Sequence, residues 1–236
     1  MAEACFLLVP GAGGDSWYWH RAAGELRARG HRVIAVDLPA GDDTAGFTEY
    51  ADAVLASASA AGIDAGWRGE LVLVAQSMAG FLAPVLCERL PVTQLVLLNG
   101  MIPAPGETFG EWWHNTGSGE ARRELDLREG RPTDAEFDPV VYFLHDLPPE
   151  LVEQAMREEP RQSDTVFDQL APSTNWPAVP IRVLVGRDDR LFPAEFQRAV
   201  ARERLGLAAT EIPGGHLAAL SHPVEFVDQL EAYLAE

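Results

Sequence analysis

Three polar residues far apart in the chain, Ser77, Asp189 and His216, could together perform nucleophilic chemistry. A serine hydroxyl attacks a carbonyl carbon poorly unless a base takes its proton, and a histidine base needs a third group to orient it. The order Ser…Asp…His is one in which hydrolytic enzymes arrange these groups along the chain. The sequence therefore predicts a serine nucleophile assisted by a His–Asp pair.

Ser77 lies between a buried strand-like run, Leu71–Val74, and a helical pattern. A strand-to-helix turn that exposes one side chain is sterically strained and tolerates only small residues two places away, here Ala75 and Ala79, with Gly80 beside them. The pattern is a relaxed G-x-S-x-G with alanine in both glycine positions. Ala-x-Ser-x-Ala is also common in helices, where the hydroxyl bonds to a backbone carbonyl, so the pattern alone leaves a structural role open.

The candidate acid follows the strand-like run Ile181–Val185, where Asp188 and Asp189 stand side by side. We favour Asp189, which has a glycine three places before it and a proline four places after it. Asp188 is then expected to be a turn residue or to pair with Arg187 or Arg190.

The candidate base, His216, follows a Pro-Gly-Gly turn whose glycines free its backbone. The five other histidines have a structural interpretation, since most of them flank a predicted helix or strand. His114 and His145 could instead line a pocket.

Backbone amides that receive developing negative charge are the third requirement of such a site. One donor is expected to be the amide of Met78, directly after the nucleophile, and the other the amide of Ala12 in the glycine-rich turn 9–14. The alternative, a phosphate-binding loop, is disfavoured because the G-x-G-x-x-G spacing is missing and Asp15 and Trp17 follow.

The charge balance excludes several classes of function. The formal net charge is −18, and all 18 basic residues are arginine. An acidic field of this size repels nucleic acids and anionic membranes, and a chain without lysine cannot form a lysine Schiff base or a P-loop. Cys5 and Cys87 have no metal or disulfide spacing, and we expect neither a metal nor a cofactor. The start of the sequence lacks a basic n-region and no run is long enough to cross a bilayer, so the expected location is the cytoplasm.

Apolar runs alternate with longer helical patterns, which predicts one α/β domain over residues 1–236 with a doubly wound, mostly parallel sheet and helices on both faces. The predicted strands are Cys5–Val9, Val33–Val36, Leu71–Val74, Leu95–Leu98 and Ile181–Val185, and Ala208–Ile212 could be the last. The predicted helices cover residues 16–29, 48–61, 78–89, 194–204 and 223–235.

Residues 101–177 do not continue this alternation of strands and helices, because they are polar, aromatic and interrupted by prolines. We expect a mainly helical cap inserted over the carboxyl ends of the strands, with one acidic helix near residues 149–159. Its aromatic residues could line a substrate pocket or form the small core of the cap itself, and both interpretations stay open: Phe109, Trp112, Trp113, Tyr142 and Phe143.

Along nearly its whole length the chain resembles the α/β-hydrolase superfamily. The motifs that carry the resemblance are Leu8–Gly14 with Trp17 and Trp19, Ser77-Met78, Gly186-x-x-Asp189-x-x-x-Pro193 and Gly215-His216. The chain is most similar to the small-esterase branch of plant methyl-ester esterases, hydroxynitrile lyases and bacterial pyrethroid-type carboxylesterases, which carries a Pro-x-x-Phe-Gln stretch, here Pro193–Gln197.

The chain departs from that branch at several positions. Pro10 and Gln76 stand where related sequences often have histidine, and the glycines around the nucleophile are alanines. The hydroxynitrile lyases of this branch use a lysine directly after the catalytic histidine to stabilise cyanide. The residue here is Leu217, so cyanohydrin cleavage by that route is disfavoured.

The resemblance implies a serine hydrolase that cleaves a small or medium carboxylic ester, with an apolar small molecule as substrate. Gly11 and Leu217 are expected at the pocket, beside the oxyanion turn and the histidine. A carbon–carbon or thioester hydrolase or an acyltransferase would use the same residues. A ligand-binding protein that keeps the fold and hydrolyses its ligand slowly or not at all is a further alternative. Nothing in the sequence indicates an oligomeric state.

Overall fold

The structure is a computed structural model that describes residues 3–158, 161–173 and 175–235. Residue 159 of the predicted acidic helix, Pro160 and residue 174 of the predicted cap, and residues 1, 2 and 236 of the predicted domain lie outside the described residues. The strands are β1 (Ala4–Val9), β2 (Arg32–Ala35), β3 (Glu70–Gln76), β4 (Gln94–Leu98), β5 (Ile181–Gly186) and β6 (Ala209–Ile212).

The α-helices are α1 (His20–Ala28), α2 (Phe47–Ala60), α3 (Ala83–Arg89), α4 (Phe109–Thr116), α5 (Ser118–Arg128), α6 (Pro139–Tyr142), α7 (Pro149–Glu158), α8 (Ala194–Leu205), α9 (Ala218–Ser221) and α10 (Pro223–Leu234). Short 3-10 helices cover Ser16–Trp19, Ser77–Phe81 and Asp164–Val166. No helix in the described part of the chain combines the length and the apolar character needed to cross a bilayer.

The six strands form one sheet in the order β2-β1-β3-β4-β5-β6, and every neighbouring pair is parallel. Alternate strand residues point to opposite faces. Phe6 and Leu8 of β1 therefore join the core beneath α1 and α10, whereas Leu7 and Val9 join the core beneath α2, α3 and α8. Both faces are covered by helices, which confirms the predicted fold class.

Two predicted helices are not continuous. The helix predicted over residues 16–29 begins as the 3-10 helix Ser16–Trp19, and the one predicted over 78–89 is divided into the 3-10 helix Ser77–Phe81 and α3. The second division has a physical reason, because Pro84 has no N–H to donate and favours the first turn of a new helix.

The segment between β4 and β5 contains α4, α5, α6 and α7 in the described residues, joined by irregular chain and one isolated bridge between Thr108 and Leu170. Its beginning is fixed to α8 by a buried ion pair. The Glu107 carboxylate is 2.9 Å from Arg204 Nη2 and also accepts from the Ala104 amide and from Asn115 Nδ2, each at 2.9 Å. Burial alone would raise the pKa of Glu107, but the Arg204 side chain, the Ala104 amide and Asn115 together hold it below its usual value.

Glu107→Gln is expected to lower the free energy of unfolding at neutral pH by about 1.5–3 kcal/mol, because it leaves the partly buried Arg204 guanidinium without its carboxylate partner. A carboxyl group whose folded pKa is depressed stabilises the fold above its unfolded pKa of about 4.3, and this contribution is lost as the pH falls through the folded pKa. The difference between wild type and variant should therefore be constant near neutral pH and shrink below about pH 4. Urea unfolding at a series of pH values measures it.

The matched control for this prediction is Glu195→Gln, which removes an exposed carboxylate 4.0 Å from Arg128. A surface pair of this kind contributes at most about 1 kcal/mol. A Glu107→Gln difference that stays constant to about pH 3 would contradict the assigned role of the carboxylate.

Gly80 allows the turn after β3 to pack directly on the chain that leaves β4. A side chain at this position would overlap the carbonyl oxygen of Met101. The Met101 amide donates to the Ser77 carbonyl at 2.9 Å, which joins the two segments at the same place.

Gly80→Ala is expected to destabilise the protein by about 1–3 kcal/mol, because the added methyl group must push two backbone segments apart. Gly24→Ala is the control, since Gly24 lies inside α1 with no atom within 4 Å of the added methyl group. That change should stabilise the fold by about 0.5–1 kcal/mol. Chemical unfolding midpoints compare the two, and equal midpoints for Gly80→Ala and wild type would refute the packing argument.

Candidate active site

Ser77 occupies a strained turn directly after β3. Its φ is 53°, in the left-handed region that residues other than glycine rarely adopt. The small side chains of Ala75 and Ala79 are fully buried around it, which leaves room for the strand and the following helix to pass close together. The Ser77 side chain therefore projects toward His216 from the first residue of the 3-10 helix Ser77–Phe81.

Ser77, His216 and Asp189 lie together at the carboxyl ends of β3, β6 and β5. Ser77 Oγ is 3.0 Å from His216 Nε2, and His216 Nδ1 is 2.8 Å from Asp189 Oδ2. Because the carboxylate can only accept, Nδ1 carries the ring proton and Nε2 is left to accept the serine hydroxyl. The arrangement can remove a proton from Ser77 as its oxygen attacks an electrophile.

The Asp189 carboxylate is 1% exposed, so its charge depends on donors from the protein. Its Oδ1 accepts from the amides of Leu191 at 2.8 Å and Phe192 at 2.9 Å. Its Oδ2 accepts from Gln197 Nε2 at 3.1 Å in addition to His216. These donors replace the water that the buried carboxylate has lost and aim Oδ2 at the imidazole.

Asp188 lies outside this cluster. Its side chain is 47% exposed and accepts from the Arg187 guanidinium at 3.1 and 3.2 Å, and from the Gly214 amide at 3.3 Å. Partial burial would raise the pKa of Asp188, but the bonds from Arg187 and Gly214 lower it overall. Asp188 is therefore a turn residue that pairs with Arg187.

The backbone of His216 is held by side chains from the ends of two neighbouring strands. Asn99 Nδ2, beyond β4, donates to the carbonyls of Gly215 at 3.2 Å and His216 at 3.0 Å. Gln76 Nε2, at the end of β3, donates to the His216 carbonyl at 3.3 Å. On the other side of this loop the Gly215 amide donates to Asp146 Oδ2 at 2.7 Å.

Asn99 and Gln197 connect the histidine loop with the aspartate. Asn99 is fully buried with a φ of 46°, and its Oδ1 accepts from the Gly186 amide at 2.7 Å and from Gln197 Nε2 at 3.3 Å. Gln197 Nε2 also bonds to Asp189, which bonds to His216, whose carbonyl accepts from Asn99. These contacts link the four residues in a closed loop that passes through the His216 carbonyl. The shortest bond of Gln197 Nε2 is the one it donates to the Phe192 carbonyl, at 2.6 Å.

The sequence interpretation assigned no role to Asn99, Gln197 or Asp146. Two signals were present in the sequence. Asn99 is the first polar residue after the buried run Leu95–Leu98, and Gln197 ends the Pro-x-x-Phe-Gln stretch that follows the aspartate. Asp146 lies in the proline-broken insertion, where no pattern singled it out.

The glycine-rich turn after β1 lies directly against Ser77. A Cβ atom at Gly11 would be 2.7 Å from Ser77 Cβ, so only glycine allows this approach. The Gly11 amide donates to Gln76 Oε1 at 2.8 Å, and the Gly14 amide donates to the Gly11 carbonyl at 3.1 Å. Ala12 and Met78, the two residues predicted to supply oxyanion donors, both line the cavity beside Ser77.

Ser77 and His216 face a cavity of about 660 Å³ whose walls are mainly apolar. Five of the candidate pocket residues line it, namely Gly11, Phe109, Trp113, Phe143 and Leu217. Leu144 and Ala155 of the segment between β4 and β5 also contribute, so this segment forms one side of the cavity.

Two predicted pocket residues do not line the cavity. Trp112 is 1% exposed, donates from Nε1 to the Ile102 carbonyl at 3.2 Å and packs on Phe192, so it is a core residue. The Tyr142 hydroxyl donates to Asp126 Oδ2 at 2.9 Å, and its ring stacks on the lining residue Phe137 without reaching the cavity itself. The pocket assignment of these two residues was wrong, because helix faces turned their rings to other partners.

The histidines of the insertion do not line the cavity either. His114 is exposed on α4. His145 lies against Gly215, and burial, followed by the positive charge of Arg190, lowers its pKa. Within the described residues no group of three or more histidine, cysteine or acidic side chains is arranged to hold a metal ion.

Comparisons with known proteins give esterases as relatives. Probable esterase PIR7A of Oryza sativa subsp. indica is 29% identical over 264 residues, which cover 95% of this chain and 94% of the relative. Methylesterase 7 of Arabidopsis thaliana is 26% identical over 247 residues, with 93% and 92% covered. These relatives confirm the predicted resemblance to the small-esterase branch.

Solved structures and a family model agree with the observed fold. The crystal structure of polyneuridine aldehyde esterase matches with a TM-score of 0.77 at 21% identity, covering 99% of this chain and 100% of that one. The model of the Alpha/beta hydrolase family matches residues 6–229. The chain therefore belongs to the alpha/beta hydrolase family.

Proposed function

We propose that this protein hydrolyses a carboxylic ester through an acyl-enzyme intermediate on Ser77. The observation that carries the proposal is the pair of hydrogen bonds that runs from Ser77 Oγ to His216 at 3.0 Å and from His216 to Asp189 at 2.8 Å, open to an apolar cavity. The esterase names of the relatives support the same reaction class.

In the first step Ser77 Oγ attacks the carbonyl carbon of the ester while His216 Nε2 takes the hydroxyl proton. Asp189 stabilises the imidazolium that forms. The carbonyl oxygen becomes an oxyanion, which the amides of Ala12 and Met78 receive. One such donor contributes about 3–4 kcal/mol to the transition state in related chemistry.

In the second step the tetrahedral intermediate breaks its bond to the alkoxy group, and His216 gives its proton to that leaving oxygen. The acyl group is now bonded to Ser77. A water molecule then loses a proton to His216 and attacks the acyl carbon, and the returned proton restores the serine hydroxyl. The products are an alcohol and a carboxylic acid, and only protons and an acyl group move.

The dimensions of the cavity support a small or medium substrate. Pockets of about 300–1,000 Å³ hold molecules up to the size of a drug, and the cavity here falls in that range. Residues 101–177 then act as a cap that shapes the cavity, since Trp113 and Phe143 line one side of it. Apolar walls favour an ester with an apolar body.

Ser77→Ala should abolish labelling by a fluorophosphonate probe and reduce ester turnover by several orders of magnitude, because no other group can form the acyl-enzyme. Ser57→Ala is the control, since Ser57 lies on α2 and bonds to the Ala53 carbonyl away from the cavity. Circular dichroism and the unfolding midpoint show whether both variants keep the fold.

A panel of p-nitrophenyl esters of increasing acyl length measures the turnover. Labelling that survives Ser77→Ala would refute the nucleophile. Labelling of the wild type without turnover of any ester would refute ester hydrolysis, and in that case thioester, carbon–carbon and acyl-transfer substrates are the next arms of the panel.

Asp189→Asn should reduce kcat about 10⁴-fold, because an amide at this position can donate to His216 Nδ1 and so stabilise the wrong tautomer. Asp188→Asn makes the same chemical change one residue away, on a side chain that pairs with Arg187, and should change kcat by less than about threefold. Steady-state kinetics on one good ester compares the two. The reverse order of effects would assign the acid to Asp188.

A further inference from the structure

Arg122 of α5 lines the cavity that Ser77 faces, and it places a positive charge in a wall that is mainly apolar. Among the described lining residues it is the one permanently charged side chain, and no aspartate or glutamate accompanies it. A cation on an apolar wall is unexpected in a chain with a net charge of −18, whose carboxylates outnumber its arginines two to one. An arginine in this position needs a physical explanation.

Aromatic rings hold the Arg122 side chain in place. Its guanidinium carbon lies 5.3 Å from the centre of the Tyr142 ring and 5.7 Å from that of Phe137. The two rings are stacked 4.9 Å apart, and the Tyr142 hydroxyl is anchored to Asp126 at 2.9 Å. The guanidinium is therefore held by its contact with the rings, which engage its face and not its N–H groups.

The N–H donors of Arg122 have no anionic partner in the described residues. No carboxylate there lies within 4.0 Å of this guanidinium, and the nearby Asp126 is already paired with Arg131 at 2.6 Å. The cavity wall also removes part of the water that would otherwise solvate the group, since Arg122 is partly buried. A planar, preorganised and unpaired guanidinium is the side chain best suited to bind a carboxylate through two parallel hydrogen bonds.

We infer that the substrate carries a carboxylate on its acyl part, remote from the ester that is cleaved, and that Arg122 binds it. The inference rests on the proposed ester hydrolysis. A half-ester of a dicarboxylic acid has the required form, with an ester at one end, an apolar chain along the apolar walls and a carboxylate at the other end.

Two arguments favour this chemistry over other anions and other positions. A single arginine neutralises a monoanion, whereas a phosphate dianion would keep one unpaired charge inside an acidic protein. The acyl part stays bonded to Ser77 between the two steps of the reaction, so a contact with its remote end can orient the reacting carbon in both steps.

The test measures kcat/KM for monomethyl esters of straight-chain dicarboxylic acids, from succinate to sebacate, and for the dimethyl esters of the same acids. The quantity compared is the ratio of half-ester to diester at each chain length. Wild type should show its highest ratio at one chain length, where the carboxylate reaches Arg122 while the ester reaches Ser77. Arg122→Gln should lower that ratio roughly ten- to hundredfold, the value of a charge-assisted hydrogen bond.

Arg123→Gln is the matched control, because Arg123 is the next residue of α5, carries the same charge and is exposed outside the cavity lining. Its ratios should equal those of wild type, which separates a bound carboxylate from a general change in net charge. If Arg122→Gln does not fold, Arg122→Met serves instead, since its apolar side chain can still cover the two rings.

The outcomes separate the two proposals. Turnover of the diesters with the same ratios in wild type and Arg122→Gln would overturn the carboxylate contact and leave ester hydrolysis intact. Equal losses of ratio in the Arg122 and Arg123 variants would also overturn it. No turnover of either ester series by the folded wild type would overturn the proposed function itself, and the inference with it.

Discussion

A carboxylate removed from water, that of Asp189, is the constraint on which the arrangement of the site depends. Burying an uncompensated charge costs several kcal/mol, so the fold must bring donors to it. The donors are the backbone amides of Leu191 and Phe192 in the turn that follows, the side-chain Nε2 of Gln197 and the Nδ1 of His216. Asp189 orients His216 and at the same time needs the His216 N–H as one of the donors that replace water. The imidazole is therefore held in one position, with Nε2 facing Ser77.

Parallel strand order explains how residues so distant in sequence meet at this carboxylate. The adjacent strands β3, β4, β5 and β6 end, in that order across the sheet, at Ser77, Asn99, the loop of Asp189 and the loop of His216. Because the strands are parallel, all these ends lie at one edge. Each strand contributes one member of the network, and the twist and spacing of the sheet set the distances between them before any side chain adjusts.

This origin also explains what the sequence could predict. Strands buried on both faces are continuous apolar runs, so the sequence could predict their positions and their parallel pairing. Ser77, Asp189 and His216 could be singled out because their chemistry is specific. Asn99 and Gln197 were missed because amide side chains serve many structural purposes and only the folded distances link them. Trp112 and Tyr142 were misassigned because an aromatic residue in a helical segment suits either a core or a pocket, and the face it takes depends on packing that the pattern does not record.

Gln76 shows how a departure from the related sequences can preserve a function. Its Oε1 accepts from the Gly11 amide at 2.8 Å, and its Nε2 donates to the His216 carbonyl at 3.3 Å, so one side chain joins the glycine-rich turn to the histidine loop. A neutral histidine, common at this position in the resembling branch, also offers one acceptor and one donor. Protonation would remove the acceptor of such a histidine, whereas the amide keeps both roles at every pH. The glutamine therefore joins the glycine-rich turn to the histidine loop through an acceptor and a donor that do not titrate.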